Sequence, residues 1–109
     1  MPILHYIANF FAGLFFCNCI PHIACGLSGE SFPTPFSKPL GVGFSSAVLN
    51  FLWGFFNLLA CLVLCYFVPM SVGFNVGFIV FLVGFLLVGI FNSWHFSAVR
   101  SKRDDNSAS

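Results

Sequence analysis

Charge is what this chain has least of. Asp, Glu, Lys and Arg make up 6% of its 109 residues, against roughly 25% in an ordinary soluble domain. So few ionised groups cannot clothe a globule in water, which excludes a soluble fold and makes lipid the natural solvent for most of the surface. The basic residues are Lys38, Arg100, Lys102 and Arg103, and the acids are Glu30, Asp104 and Asp105. A short basic tail is not the interleaved Lys/Arg and aromatic surface that nucleic acid requires. Paired carboxylates, a phosphate-binding loop and Ser-His-Asp spacing are missing too, so no catalytic residue is assigned and an enzyme is the least supported class. No C-x-x-C occurs among the five cysteines, so neither the common redox spacing nor a metal site is assigned. Met1 to His5 lacks a basic n-region, which argues against a cleaved signal peptide.

What is present is apolar. Hydrophobic residues make up 59% of the chain, including 17 Phe, and the mean hydropathy is +0.97. Three stretches, about 3–25, 44–67 and 74–97, contain no Asp, Glu, Lys or Arg. Each reaches the ~20 residues needed to cross about 30 Å of hydrocarbon. Backbone amides in lipid must be satisfied within the segment, and these runs are continuous, so helices are expected in place of barrel strands. The expected fold is all-α: a three-transmembrane-helix bundle forming one unit over 1–99, with a polar, disordered tail over 100–109. Between spans one and two, Gly26, Gly29, Pro33, Pro35, Pro39, Gly41 and Gly43 break helix and leave an interfacial loop. Ser45 or Ser46 offers an N-cap to span two. The second connection, 68–73, is short, which predicts antiparallel neighbours for spans two and three.

Orientation follows from the cations. With three spans, the first loop and the C-terminus share a side, and all four Lys/Arg lie there. Basic residues are retained in the cytoplasm, so the N-terminus is expected outside and the C-terminus inside.

The polar residues within the spans are few and patterned. Ser46, Asn50, Trp53, Asn57, Cys61 and Cys65 recur at steps of three or four and share one helical face. An amide exposed to lipid has no partner, so this face should meet protein. Gly73, Gly77 and Gly84 form a small-residue stripe in span three, suited with Asn57 to helix packing. Pro21 should kink span one or unwind it, because it removes an amide donor and clashes with the carbonyl of Cys17. Taking each span's midpoint as the bilayer centre, Asn18, His22, Asn50, Asn92 and His95 all fall in the cytoplasmic half, with His22 and His95 roughly 12–14 Å from the centre. These five residues are the candidate ligand site, a polar pocket able to hold a quinone head group, a haem edge, a metal ion or water. The alternative is that they serve only hydrogen bonds of the fold. Cys17, Cys19 and Cys25 lie toward one side and Cys61 and Cys65 toward the other. The closest pair across the sets is offset by ~12 Å along the normal, too far for a disulfide. On a straight helix His5 and Asn9 point opposite to Asn18 and His22, so span one either is reoriented at Pro21 or has partners on two sides.

Asn18-x-x-Pro21-His22, Phe32-Pro33-Thr34-Pro35-Phe36, Gly41-x-Gly43-x-Ser45-Ser46 and Asn50-x-x-Trp53-Gly54-x-x-Asn57 resemble segments of a set of small bacterial membrane proteins of unknown function. The likeness covers roughly residues 5–60. It implies a multi-pass protein of the bacterial inner (plasma) membrane and no particular activity, cofactor or ligand. It also draws attention to Phe32, Phe36 and Phe44 as anchors of an ordered loop on the membrane surface. The functional expectations are an accessory or structural subunit of a larger membrane complex or homo-oligomer, or a redox or ligand-binding protein using His22 and His95. A transporter or pore ranks below both, because proton-coupled export uses a membrane-embedded carboxylate and the spans have none.

Overall fold

The computed structural model describes residues 2–39 and 42–108, with side chains as far as Asp105; Met1, Leu40, Gly41 and Ser109 lie outside it. Three helices make up the fold: α1 (Pro2–Leu27), α2 (Ala47–Phe67) and α3 (Val76–Ala108). All three are long and apolar enough to span a membrane. The chain is thus a multi-pass, all-α membrane protein, as its uncharged stretches predict.

Local chemistry sets the helix ends. After α1, Glu30 N–H donates to Cys25 O at 2.8 Å and Gly29 N–H to Gly26 O at 3.2 Å, with Gly29 at φ 74°. This paired closure needs a left-handed residue, which glycine adopts without strain. Ser46 caps α2 by accepting from Leu49 N–H at 3.2 Å, and the Val68-Pro69 step ends it, since the residue before proline is pushed out of helical conformation. Asn75 opens α3: its side-chain oxygen accepts from Phe78 N–H at 2.9 Å and its amide donates to Ser71 O at 3.0 Å.

Three expectations are corrected. First, of the two outcomes expected at Pro21, kinking or unwinding, the second does not occur: α1 continues as helix to Leu27. Prolines are tolerated in membrane helices because neighbouring groups satisfy the freed carbonyls. Second, the polar tail is helical, α3 running unbroken to Ala108. No Gly or Pro interrupts it after Gly89, and its cations dock on the loop: the Arg103 guanidinium lies 3.7 Å from the Phe44 ring centroid and that of Arg100 5.9 Å from Phe32. At 33 residues and ~1.5 Å per residue, α3 measures about 50 Å and outruns the hydrocarbon by several turns. Third, α2 and α3 are not neighbours. Each packs on α1, and no Cα–Cα approach within 8 Å joins them among the described residues. The connection over 68–75 reaches about 26 Å when extended, enough to pass around a helix about 10 Å across.

Because α1 is central, it carries contact residues on two faces. Toward α3 it presents Phe10 and Gly13. A Cβ on Gly13 would collide with the Phe81 carbonyl, and one on Gly84 with the Phe10 carbonyl, so paired glycines bring these backbones together. Phe16 packs between Phe81 and Phe85, with ring centroids 6.1 and 6.0 Å away. Toward α2, α1 presents Cys19, Ile23 and Gly26. A Cβ on Gly54 would stand 2.8 Å from the Ile23 nitrogen, and one on Gly26 would stand 2.8 Å from the Ala47 carbonyl oxygen. The opposed polar faces of span one therefore have partners on two sides. Asn9 reaches α3, where a Cβ on Gly77 would lie 2.9 Å from its amide nitrogen, while His22 reaches α2 and Asn18 bonds both α2 and α3. His5 is exposed.

Candidate functional site

The loop between α1 and α2 folds back over the helix ends. Phe32 and Ser45 pair as an isolated antiparallel bridge, with N–H to O distances of 3.2 and 2.9 Å. Thr34 is 2% exposed. Its hydroxyl bonds the Ser45 hydroxyl at 2.6 Å and accepts from Phe36 N–H at 3.2 Å, while Ser37 Oγ donates to Thr34 O at 2.6 Å. These short-range bonds hold a Pro-rich segment that has no regular ladder. Phe32 is buried under the loop, between the rings of His22 (5.5 Å) and Phe96 (4.6 Å). It is thus a core residue of this end of the protein and not a surface anchor, while Phe36 stays exposed and meets Trp53 edge-on at 5.3 Å.

Beneath the loop lies the polar network. Asn50 is fully buried. Its amide nitrogen faces three carbonyls, Phe32 O at 2.8 Å, Ser46 O at 3.0 Å and Ser45 O at 3.1 Å. Three acceptors around one atom fix it as the NH2, so Oδ1 must be the acceptor toward His22 Nδ1, 2.9 Å away. His22 is accordingly the Nδ1–H tautomer when neutral, and its Nε2 holds the lone pair. One turn deeper, Asn92 donates to Asn18 Oδ1 at 3.0 Å, Asn18 donates to Asn57 Oδ1 at 3.1 Å, and Asn57 donates to Trp53 O at 2.8 Å. This relay links all three helices through the central one.

A cavity of about 370 Å³ adjoins the network. Asn18 and His22 line it from α1, Trp53 from α2, Phe91, His95 and Phe96 from α3, and Pro33, Thr34 and Pro35 from the loop. His95 is half-buried, stacked on Phe91 at 5.8 Å with parallel rings and edge-on to Phe96 at 5.1 Å. Of the five candidate site residues, Asn18, His22 and His95 line the cavity directly. Asn50 stands behind His22, and Asn92 stands behind Asn18. Of the packing residues, Asn57 ends the relay and is 1% exposed, and Gly77 and Gly84 face α1. Gly73 instead lies in the turn before α3 with φ 153°, too early to pack against α1. Of the span-two face, Asn50, Asn57 and Cys61 are buried at 4% exposure or less, Trp53 and Cys65 are half-buried, and Ser46 is exposed at the N-cap. All five cysteines are free thiols.

Sequence reasoning missed Gly13, Gly54, Thr34 and Phe96. The F-P-T-P-F segment marked Thr34 as part of an ordered loop, but not as its hydrogen-bonding centre. Nothing distinguished Phe96 among 17 Phe. Among the described residues no three His, Cys, Asp or Glu gather as a metal-binding group. No protein-family profile, curated protein or solved structure matches the chain.

Proposed function

We propose that this chain is an accessory or structural subunit of the bacterial inner membrane, with its N-terminus outside and its C-terminus in the cytoplasm, packed in a larger assembly or against further copies of itself. The observation that carries this reading is where the intramembrane amides go. Asn18, Asn50, Asn57 and Asn92 bond one another, His22 or backbone carbonyls, so the polar stripes hold the chain's own helices in register. The outward face of α3 is apolar, with Leu82, Val83, Leu86, Leu87, Ile90 and Trp94 all exposed, and Gly84 is the one buried position of α3 among the described residues. Lys38, Arg100, Lys102 and Arg103 support the orientation, since all belong to the loop and tail that share one side. The test is extraction in mild detergent followed by mass spectrometry of the intact complex. A partner, or a second copy, at fixed stoichiometry is expected. A single chain in every gentle detergent overturns the reading, and a periplasmic reporter fused after the last residue overturns the orientation.

A second reading has an observation of its own. The cavity lined by His22 and His95 falls within the ~300–1,000 Å³ range of small-molecule sites and combines aromatic walls with few polar groups. It supports a ligand-binding role, to which a quinone head group is better suited than a metal ion, because a metal would find only two imidazoles in the cavity wall.

A further inference from the structure

Resting on that second reading, we infer that the cavity beneath the loop binds a membrane-borne planar aromatic carrying a ring hydroxyl, a quinol or related alkylphenol, whose hydroxyl donates to Nε2 of His22. The argument begins with what the cavity can offer. Asn18 has its amide nitrogen on Asn57 and its oxygen under Asn92. Thr34 has its hydroxyl committed to Ser45 and Phe36. His22 differs. It is 2% exposed, and the bond to Asn50 occupies Nδ1 as the donor. Among the described residues no hydrogen bond reaches the Nε2 lone pair, and the bond to Asn50 fixes the ring, as a carboxylate or amide behind a ligating histidine fixes tautomer and orientation. The imidazole therefore presents an oriented acceptor. A ligand matching it carries a donor, which a quinol or phenol does and a fully oxidised quinone or an ether does not.

The walls define the rest of the ligand. Trp53, Phe91 and Phe96 supply aromatic faces and edges, and Pro33 and Pro35 close the loop side. These surfaces favour a flat ring held by offset or edge contacts. The position does the same. The cavity lies where the spans meet the loop, the depth at which amphipathic aromatics place a polar end near water and an alkyl chain in lipid.

The test uses the full chain in detergent with Trp94→Phe, which leaves Trp53, a wall of the cavity, as the sole indole of the two in the sequence. Trp53 fluorescence is titrated anaerobically with a 2,5-dialkylhydroquinone and, separately, with its dimethyl ether. Saturable quenching by the hydroquinone is expected, with the ether about tenfold weaker, the worth of one hydrogen bond at a buried acceptor. Equal affinities overturn the hydroxyl-to-histidine assignment while leaving the cavity as a ligand site. Saturable quenching by neither overturns both, and the accessory-subunit reading is untouched. His22→Phe keeps an aromatic ring and removes the acceptor, and it should abolish the preference for hydroxyl over ether; a surviving tenfold preference overturns the inference. The ligand pair on the His22 protein decides the matter even if that variant does not fold.

Discussion

Replacing Asn50 with alanine tests the polar core where it is most connected. The substitution removes four contacts at once, to His22 and to the carbonyls of Phe32, Ser45 and Ser46. The carbonyls are not stranded: Phe32 O keeps Ser45 N–H, Ser45 O keeps Phe32 N–H and Ser46 O keeps Asn50 N–H. The orphan is His22 Nδ1–H, buried without its acceptor, which costs about 1–3 kcal/mol. The three lost amide contacts add less, because polar contacts in membrane proteins average about 0.6 kcal/mol. Destabilisation of about 3–5 kcal/mol is expected, read from reversible unfolding in mixed detergent micelles with Trp53 as the reporter in a Trp94→Phe background. Asn50→Asp should be worse than alanine, although it conserves shape, because a carboxylate oxygen replaces the donor facing three carbonyls and brings a charge into a buried site. An alanine variant within 0.5 kcal/mol of the parent, or an aspartate variant more stable than alanine, refutes the account of Asn50 as the clasp between loop and helices.

Other expectations use different contacts. Asn57→Leu should cost about 1–2 kcal/mol by leaving the Asn18 amide without its acceptor, and a double-mutant cycle between Asn18 and Asn92 should give a coupling near 0.6 kcal/mol; zero coupling contradicts the relay. Gly84→Leu forces a side chain into the Phe10 backbone and should cost about 1–3 kcal/mol or more, read as loss of cross-linking between cysteines engineered on facing positions of α1 and α3; unchanged cross-linking contradicts the glycine-mediated approach. Phe32→Ala removes the ring between His22 and Phe96 and should destabilise the loop by about 3 kcal/mol, seen as faster cleavage after Glu30 by a glutamate-specific protease; an unaltered rate means the loop is held by its hydrogen bonds alone.

Much of this architecture could be read from one strand of letters, for a simple reason. A stretch without ionisable groups, about twenty residues long, has one stable form in lipid, so the three helices were legible from composition and length alone. The face of α2 was legible too, because an amide cannot face hydrocarbon and Asn50 and Asn57 had to point at protein. The conflict between the two ends of span one also appeared in the sequence, where His5 and Asn9 point opposite to Asn18 and His22 on a straight helix.

Tertiary structure decided how that conflict resolves. Placing α1 between the other two helices gives Asn9 and Gly13 one partner and His22 and Gly26 another, and a loop's length cannot reveal this, because the same residues can join adjacent helices or pass around one. Helical periodicity was equally silent about the tail, whose helix carries Arg100 and Arg103 to the rings of Phe32 and Phe44 far along the chain. Composition and spacing determined that these residues live in a membrane and which faces must be covered. Only packing determined what covers them, because hydrophobic burial is non-directional and the choice among apolar neighbours is made by close backbone approach and a few hydrogen bonds between distant residues.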